Sequence, residues 1–173
     1  MSKKDVYDGF QGRPILWMLT GLPGSGKSTW ANKHQYRIDR FTYVLSTDNV
    51  IYDIAAQSGK TYDDVFKDNI KFAEKTMYAE AMKAAKADGD IIWDQTNTTK
   101  KSRAKKLIMI PDHYIKYSIV FPTPDNDVLE QRLASRLGKT IPLYIIDGMD
   151  GAFEMPELSE GFDAVYIYTS SSL

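Results

Sequence analysis

The sequence predicts a three-layer α/β/α fold, with five parallel strands covered on both faces by helices and a helical lid. Three observations carry that expectation. Short apolar runs alternate with amphipathic stretches along the 173 residues. The first run leads directly into a glycine-rich loop and then a helical pattern. The length and the 43% hydrophobic content suit one domain with one sizeable core, so residues 1–173 read as a single domain.

The elements follow in order. Residues 1–13 are expected to be a short leader ending at Pro14. "ILWMLT" (15–20) is an apolar run bounded by Pro14 and Gly21, which predicts a buried strand. A helix is expected from Lys27 to about His34. "YVLS" (43–46) predicts the second strand, with Asp48 near the start of the next helix and Gly59 as its stop. Thr61 and Asp64 resemble a capping box. Phe66, Ile70, Ala73, Met77, Ala81 and Ala84 then recur at three- and four-residue steps, a core-facing stripe that Gly89 should end. "IIW" (91–93) predicts a third strand closing on Asp94. Residues 99–110 read as a basic helix stopped by Pro111. "IKYSIVF" (115–121) predicts a fourth strand and "DVLEQRLASRLGK" a helix running to Gly138. Pro142 can open another short helix, and "AVYIYT" (164–169) is the last predicted strand, followed by a frayed tail at 170–173.

Composition excludes several classes. The chain has no cysteine, so disulfides, thiolate metal sites and thiol catalysis are out. Its net charge of −1 gives no global field for nucleic acid, so a polynucleotide site must be a local basic patch. The N-terminus lacks the apolar region of a secretory signal, and no apolar run reaches membrane-spanning length. A soluble, cytoplasmic protein is expected.

"GLPGSGKSTW" (21–30) has the G-x-x-x-x-G-K-S spacing of a phosphate-binding loop, between a strand and a helix, which makes the expected fold P-loop NTPase-type. Glycines let backbone N–H groups turn onto phosphate oxygens, and the helix beginning at Lys27 adds the positive end of its dipole. Gly21, Pro23, Gly24, Ser25, Gly26, Lys27, Ser28 and Thr29 are the candidate ATP-binding residues. Lys27 should reach the β and γ phosphates and the Ser28 hydroxyl should ligate Mg²⁺.

The loop identifies a nucleotide site and leaves the reaction open. Asp48 ends the second predicted strand. There it serves either as a proton acceptor for an attacking hydroxyl or as a helix N-cap. Asp94 ends an apolar strand, a pattern that holds Mg²⁺ but also occurs in plain loops. Arg132, Arg136 and Lys139, spaced four and three apart, would share one helix face, either as a phosphate-clamping lid (132–142, with Gly138 as hinge) or as a solvated surface. "KKSRAKK" (100–106) packs five cations into seven residues and would either contact a phosphodiester backbone or face solvent.

"GLPGSGKSTW", "STDN", "DQTN" and "RLASRLGKTIP", in that order, resemble the kinase domain of bacteriophage polynucleotide kinase and its P-loop relatives over most of residues 15–142. The resemblance implies an ATP- and Mg²⁺-dependent kinase acting on a polynucleotide hydroxyl, first of all the 5′-hydroxyl of DNA or RNA. It implies Asp48 as general base, with Lys27 and Ser28 on ATP and Mg²⁺. It also implies Asp94 near acceptor and metal, Arg136 as the lid arginine and Arg132 as a further basic lid position. The family has an arginine shortly after its catalytic aspartate that holds the acceptor's phosphate. Ile51 stands at that place here. The acceptor grip is then expected from Lys100, Lys101 or Arg103, with Asn97 of "DQTN" nearby. Similar phage kinases act on 5-hydroxymethyluracil in DNA, and losing that arginine is compatible with them. "FEMPELSEGFDAVYIY" is similar to the kinase-like domain of heterogeneous nuclear ribonucleoprotein U, which keeps a non-catalytic, nucleic-acid-binding reading open. A small-metabolite or nucleoside kinase is the remaining alternative.

Overall fold

The computed structural model describes residues 12–35 and 41–169. All but the last two residues of the expected leader, and the whole tail at 170–173, lie outside them. The described elements are β1 (Ile15–Thr20), α1 (Lys27–His34), β2 (Thr42–Leu45), α2 (Thr47–Ser58), α3 (Tyr62–Lys86), β3 (Asp90–Asp94), α4 (Lys100–Leu107), β4 (Ile115–Val120), α5 (Asn126–Ala134), α6 (Leu143–Gly151), a 3₁₀ turn (Leu158–Glu160) and β5 (Ala164–Ile167). No helix among the described residues is long and apolar enough to cross a membrane.

The five strands form one sheet in the order β2-β3-β1-β4-β5, every pair parallel. β1 is central and buried along its whole length, which explains why its sequence is uniformly apolar rather than alternating. Its side chains still divide by face. Leu16 and Met18 pack with Met77, Ala81 and Ala84 of α3 and Leu107 of α4. Ile15, Trp17 and Leu19 pack with Trp30 and Ala31 of α1. That division makes the three layers. The chain leaves β1 toward β2 on one side and later returns to β4 on the other. The switch in direction therefore falls at β1, where open α/β sheets place their ligand crevice.

Several boundaries differ from the sequence expectation. The capping box at Thr61 and Asp64 is present. The buried stripe of α3, however, begins at Tyr62 and Val65, while Phe66 is exposed. The first turns of α3 face α2 rather than the sheet, so their apolar side is rotated. α3 gives way to Ala87, and the left-handed residue after it is Asp88, not Gly89. Gly89 is needed for another reason, because a Cβ there would lie 2.5 Å from the Tyr43 ring. α4 stops at Leu107 and α5 at Ala134, both short of the predicted ends.

Candidate active site

The phosphate loop connects the C-terminal end of β1 to α1. Gly26 caps α1 at φ 102°, a left-handed conformation costly for any residue with a Cβ. No side chain caps the helix, so its first-turn N–H groups face the loop's concavity. Gly21 is required by close approach, since a Cβ would sit 2.8 Å from the Phe121 carbonyl oxygen. The ammonium of Lys27 is buried and donates to the carbonyls of Gly21 (2.9 Å) and Leu22 (2.8 Å). Burial lowers its pKa to about 8, with Asp94 and Asp48 pulling upward and Arg136 and Lys139 pushing down.

Asp94 pairs in register with Leu19 at the end of the sheet. Burial raises its pKa, while a hydrogen bond from the Ser28 hydroxyl and the Lys27 charge oppose the rise. Hard oxygen donors of this kind suit Mg²⁺, which takes one or two protein ligands and completes its shell with phosphates and water. No cluster of three or more His, Cys, Asp or Glu side chains capable of holding a metal occurs among the described residues.

Beside the loop lies a cavity of about 450 Å³, lined from Gly24 to Trp30 and by Lys33, Arg132, Ser135, Arg136 and Tyr168. Ser28 and Thr29 are exposed within it and Pro23 is buried beneath. Arg132 donates from Nη1 to the Gly24 carbonyl at 3.0 Å. Lys33, Ser135 and Tyr168 escaped the sequence reading. Tyr168 follows β5 directly and stacks on Phe121 with centroids 4.8 Å apart. The strand-end rule that selected Asp48 and Asp94 would have found it.

Asp48 is neither at a strand end nor a cap. β2 ends at Leu45, the Ser46 side chain caps α2 by accepting from the Asn49 N–H, and Asp48 is the second residue of the helix. Its Oδ1 accepts from the Tyr62 hydroxyl at 2.7 Å and its Oδ2 from the Lys139 ammonium. The Asp48 side chain remains 43% exposed. Lys139 also sits 4.4 Å above the Tyr62 ring centroid. Burial lowers the Lys139 pKa against the pull of Asp48.

The three cations of 132–139 do not share a helix face. α5 ends at Ala134, so only Arg132 is helical, and Arg136 and Lys139 follow in turns. Arg132 and Arg136 nonetheless line the loop cavity with Lys27, and the charges of Arg136 and Lys139 both act on Lys27. Gly138 is fastened where a hinge was expected. Its carbonyl accepts from the Asp63 N–H (2.9 Å), and the Asp63 carboxylate accepts from the Thr140 N–H (2.9 Å).

Two expected acceptor contacts are corrected. The Arg103 guanidinium is wholly buried, donating through Nε and Nη2 to Glu160 (2.8 Å each) and through Nη1 to the Asn97 carbonyl. Asn97 is buried too, with φ 48°, a conformation asparagine tolerates. Its amide donates to the Leu19 carbonyl at 2.7 Å and its Oδ1 accepts from Lys106, which ties the exits of β1 and β3 together. Lys100 pairs with Glu157 at the surface, and Lys101 is exposed. Ile51 is fully buried between α2 and α3, so the position of the absent arginine faces the core.

A family model described as an AAA domain matches residues 16–156. The chain belongs to this AAA-domain family, and its fold is the P-loop kinase-like one. It is 27% identical to the adenylyl-sulfate kinase of Clostridium kluyveri over 151 residues, 84% of this chain and 72% of that one. The adenylyl-sulfate kinase of Geotalea uraniireducens is 36% identical over 62 residues, 34% of this chain and 30% of that protein. Heterogeneous nuclear ribonucleoprotein U-like protein 2 of Homo sapiens is 24% identical over 153 residues, 86% of this chain and 20% of that protein. The match thus spans less than a third of the length of these last two relatives. Among solved structures, a chain of the Pnkp1/Rnl/Hen1 RNA repair complex superposes with a TM-score of 0.60 at 23% identity, covering 81% of this chain and 44% of that one.

Proposed function

We propose that the protein is a kinase that transfers the γ-phosphate of ATP to a hydroxyl of a polynucleotide, the 5′-hydroxyl of DNA or RNA. One observation carries the phosphotransfer reading. A partly exposed carboxylate, Asp48, has both oxygens oriented by Tyr62 and Lys139 and lies within electrostatic reach of the phosphate-loop lysine. Asp48 is not among the residues lining the loop cavity, and in this reading the acceptor approaches its exposed side. Likeness to a chain of an RNA repair complex supports a nucleic-acid acceptor.

In this mechanism the acceptor O–H gives its proton to Asp48 as its oxygen attacks the γ-phosphorus. The bond to the bridging oxygen breaks and ADP leaves. Each carboxylate oxygen keeps a lone pair beyond those used by Tyr62 and Lys139. The loop N–H groups, Lys27 and Arg136 stabilise the charge spread over the transferring group. Ser28 and Asp94 would hold Mg²⁺, which when bound supplies positive charge to the phosphate oxygens.

Asp48→Asn should lower kcat by about 10³-fold while the KM for ATP stays within about twofold. A mutant that turns over normally would reduce Asp48 to a structural residue. Acceptor choice is tested with γ-labelled ATP against 5′-hydroxyl DNA, 5′-hydroxyl RNA, 5′-phosphorylated hydroxymethyluracil DNA, free nucleosides and adenylyl sulfate. A small-molecule acceptor is the second reading, supported by the adenylyl-sulfate kinase relatives and by the neutralised basic helix. Label on a small acceptor alone would select it.

A further inference from the structure

The face that α2 turns toward the acceptor side carries Asp48 and, one turn on, Tyr52. The opposite face is core, with Ile51 and Ala55 buried against α3. The Tyr52 ring lies 4.9 Å from the Tyr62 ring, centroid to centroid, and Tyr62 stacks on Phe66 at 5.5 Å and 24°. The middle ring, Tyr62, is buried, whereas Tyr52 is 40% and Phe66 39% exposed. The Lys139 ammonium is 6.0 Å from the Tyr52 centroid. Three contiguous rings thus lie beside the carboxylate, the middle one hydrogen-bonded to it and the outer two partly open to water. None of these three rings lines the loop cavity, where the aromatic side chains are Trp30 and Tyr168.

We infer that Tyr52 is a stacking platform for a planar ring of the acceptor, a nucleobase next to the reacting hydroxyl, with Phe66 extending the surface. Base–aromatic stacking tolerates any sequence, because every base presents a π-face. In place of the guanidinium that Ile51 cannot supply, the acceptor is held by aromatic rings on the neighbouring face of the same helix. This inference rests on the polynucleotide-kinase reading and names the feature of the acceptor that the site grips.

The test uses 5′-hydroxyl oligonucleotides whose terminal nucleotide either carries its base or is abasic. In the wild-type protein, the abasic acceptor should show a KM about tenfold higher. In Tyr52→Ala that ratio should collapse toward one through a higher KM for the base-bearing acceptor, with the KM for ATP unchanged. Tyr52→Phe, which keeps the ring, should keep the ratio. Equal KM values for both acceptors in the wild type, or an undiminished ratio in Tyr52→Ala, would overturn the stacking platform and leave the kinase reading standing. No label on any oligonucleotide, with label on a ringless sugar, would overturn both.

Discussion

Two cationic stretches of this chain meet opposite fates. Residues 100–106 hold the denser charge, yet the fold neutralises much of it. Glu160 clasps Arg103, Glu157 pairs with Lys100, and Asn97 takes the Lys106 ammonium. Residues 132–139 are sparser, and Lys139 is paired with Asp48, but Arg132 donates to a backbone carbonyl and so keeps its charge unbalanced. Among the described residues, neither Arg132 nor Arg136 forms an ion pair. Charge counts toward a ligand only where the fold has not already spent it on its own acids. Those acids lie 57 residues away in sequence for the pairs to Glu157 and Glu160.

The contrast can be broken experimentally. The largest effect is expected at Arg136. Arg136→Ala should lower kcat by about 10³-fold, toward the lower end of what an arginine on a transferring phosphoryl group contributes. The thermal midpoint should barely move. A large loss of stability instead would place Arg136 with the structural cations.

Arg103→Ala should do the reverse. It strands Glu160, whose side chain is only 11% exposed, and should cost about 3–5 kcal/mol in denaturant unfolding. Below its unfolding transition the variant should keep the wild-type KM for ATP. A stable Arg103→Ala protein with a weakened acceptor KM would return this arginine to the site.

A smaller effect is expected from pH, through Lys27 of the phosphate loop and Lys106 of the basic stretch. Lys27 has a pKa lowered to about 8 and is useful to phosphate only when protonated. The kcat/KM for ATP should therefore fall about tenfold per unit as pH rises beyond 8. Stability should move the other way. Lys27 and Lys106, the latter lowered to about 7, give up protons in the folded state that the unfolded chain still holds up to 10.5. Stability therefore rises with pH from about 7 through that window. Parallel loss of both quantities would show that the rate follows unfolding.

Legibility in the sequence follows the range of the interaction. The phosphate loop was readable because a glycine spacing, a strand and a helix start lie within 20 residues, 15–34. β1, β3 and β4 were readable because buried parallel strands are largely apolar, whereas the partly exposed edge strands β2 and β5 were readable only as short apolar runs. Asp48 was found for its position beyond a strand, although it sits inside the helix that Ser46 caps. Lys139 and Tyr62, which hold its carboxylate, could not be paired with it, since they come from separate segments 91 and 14 residues away.

By itself, the sequence determined the layered α/β architecture, the loop that receives phosphate and the acidic groups beside it. Each of those depends on hydrogen bonds and burial patterns repeating over a few residues. Only the tertiary structure decided which cations remain available, that Asn97 and Arg103 act as internal struts, and that residue 51 is buried while Tyr52 stays partly exposed beside the Tyr62 ring. Those outcomes depend on which distant acid or ring arrives next to a given side chain. Local spacing carries no record of that.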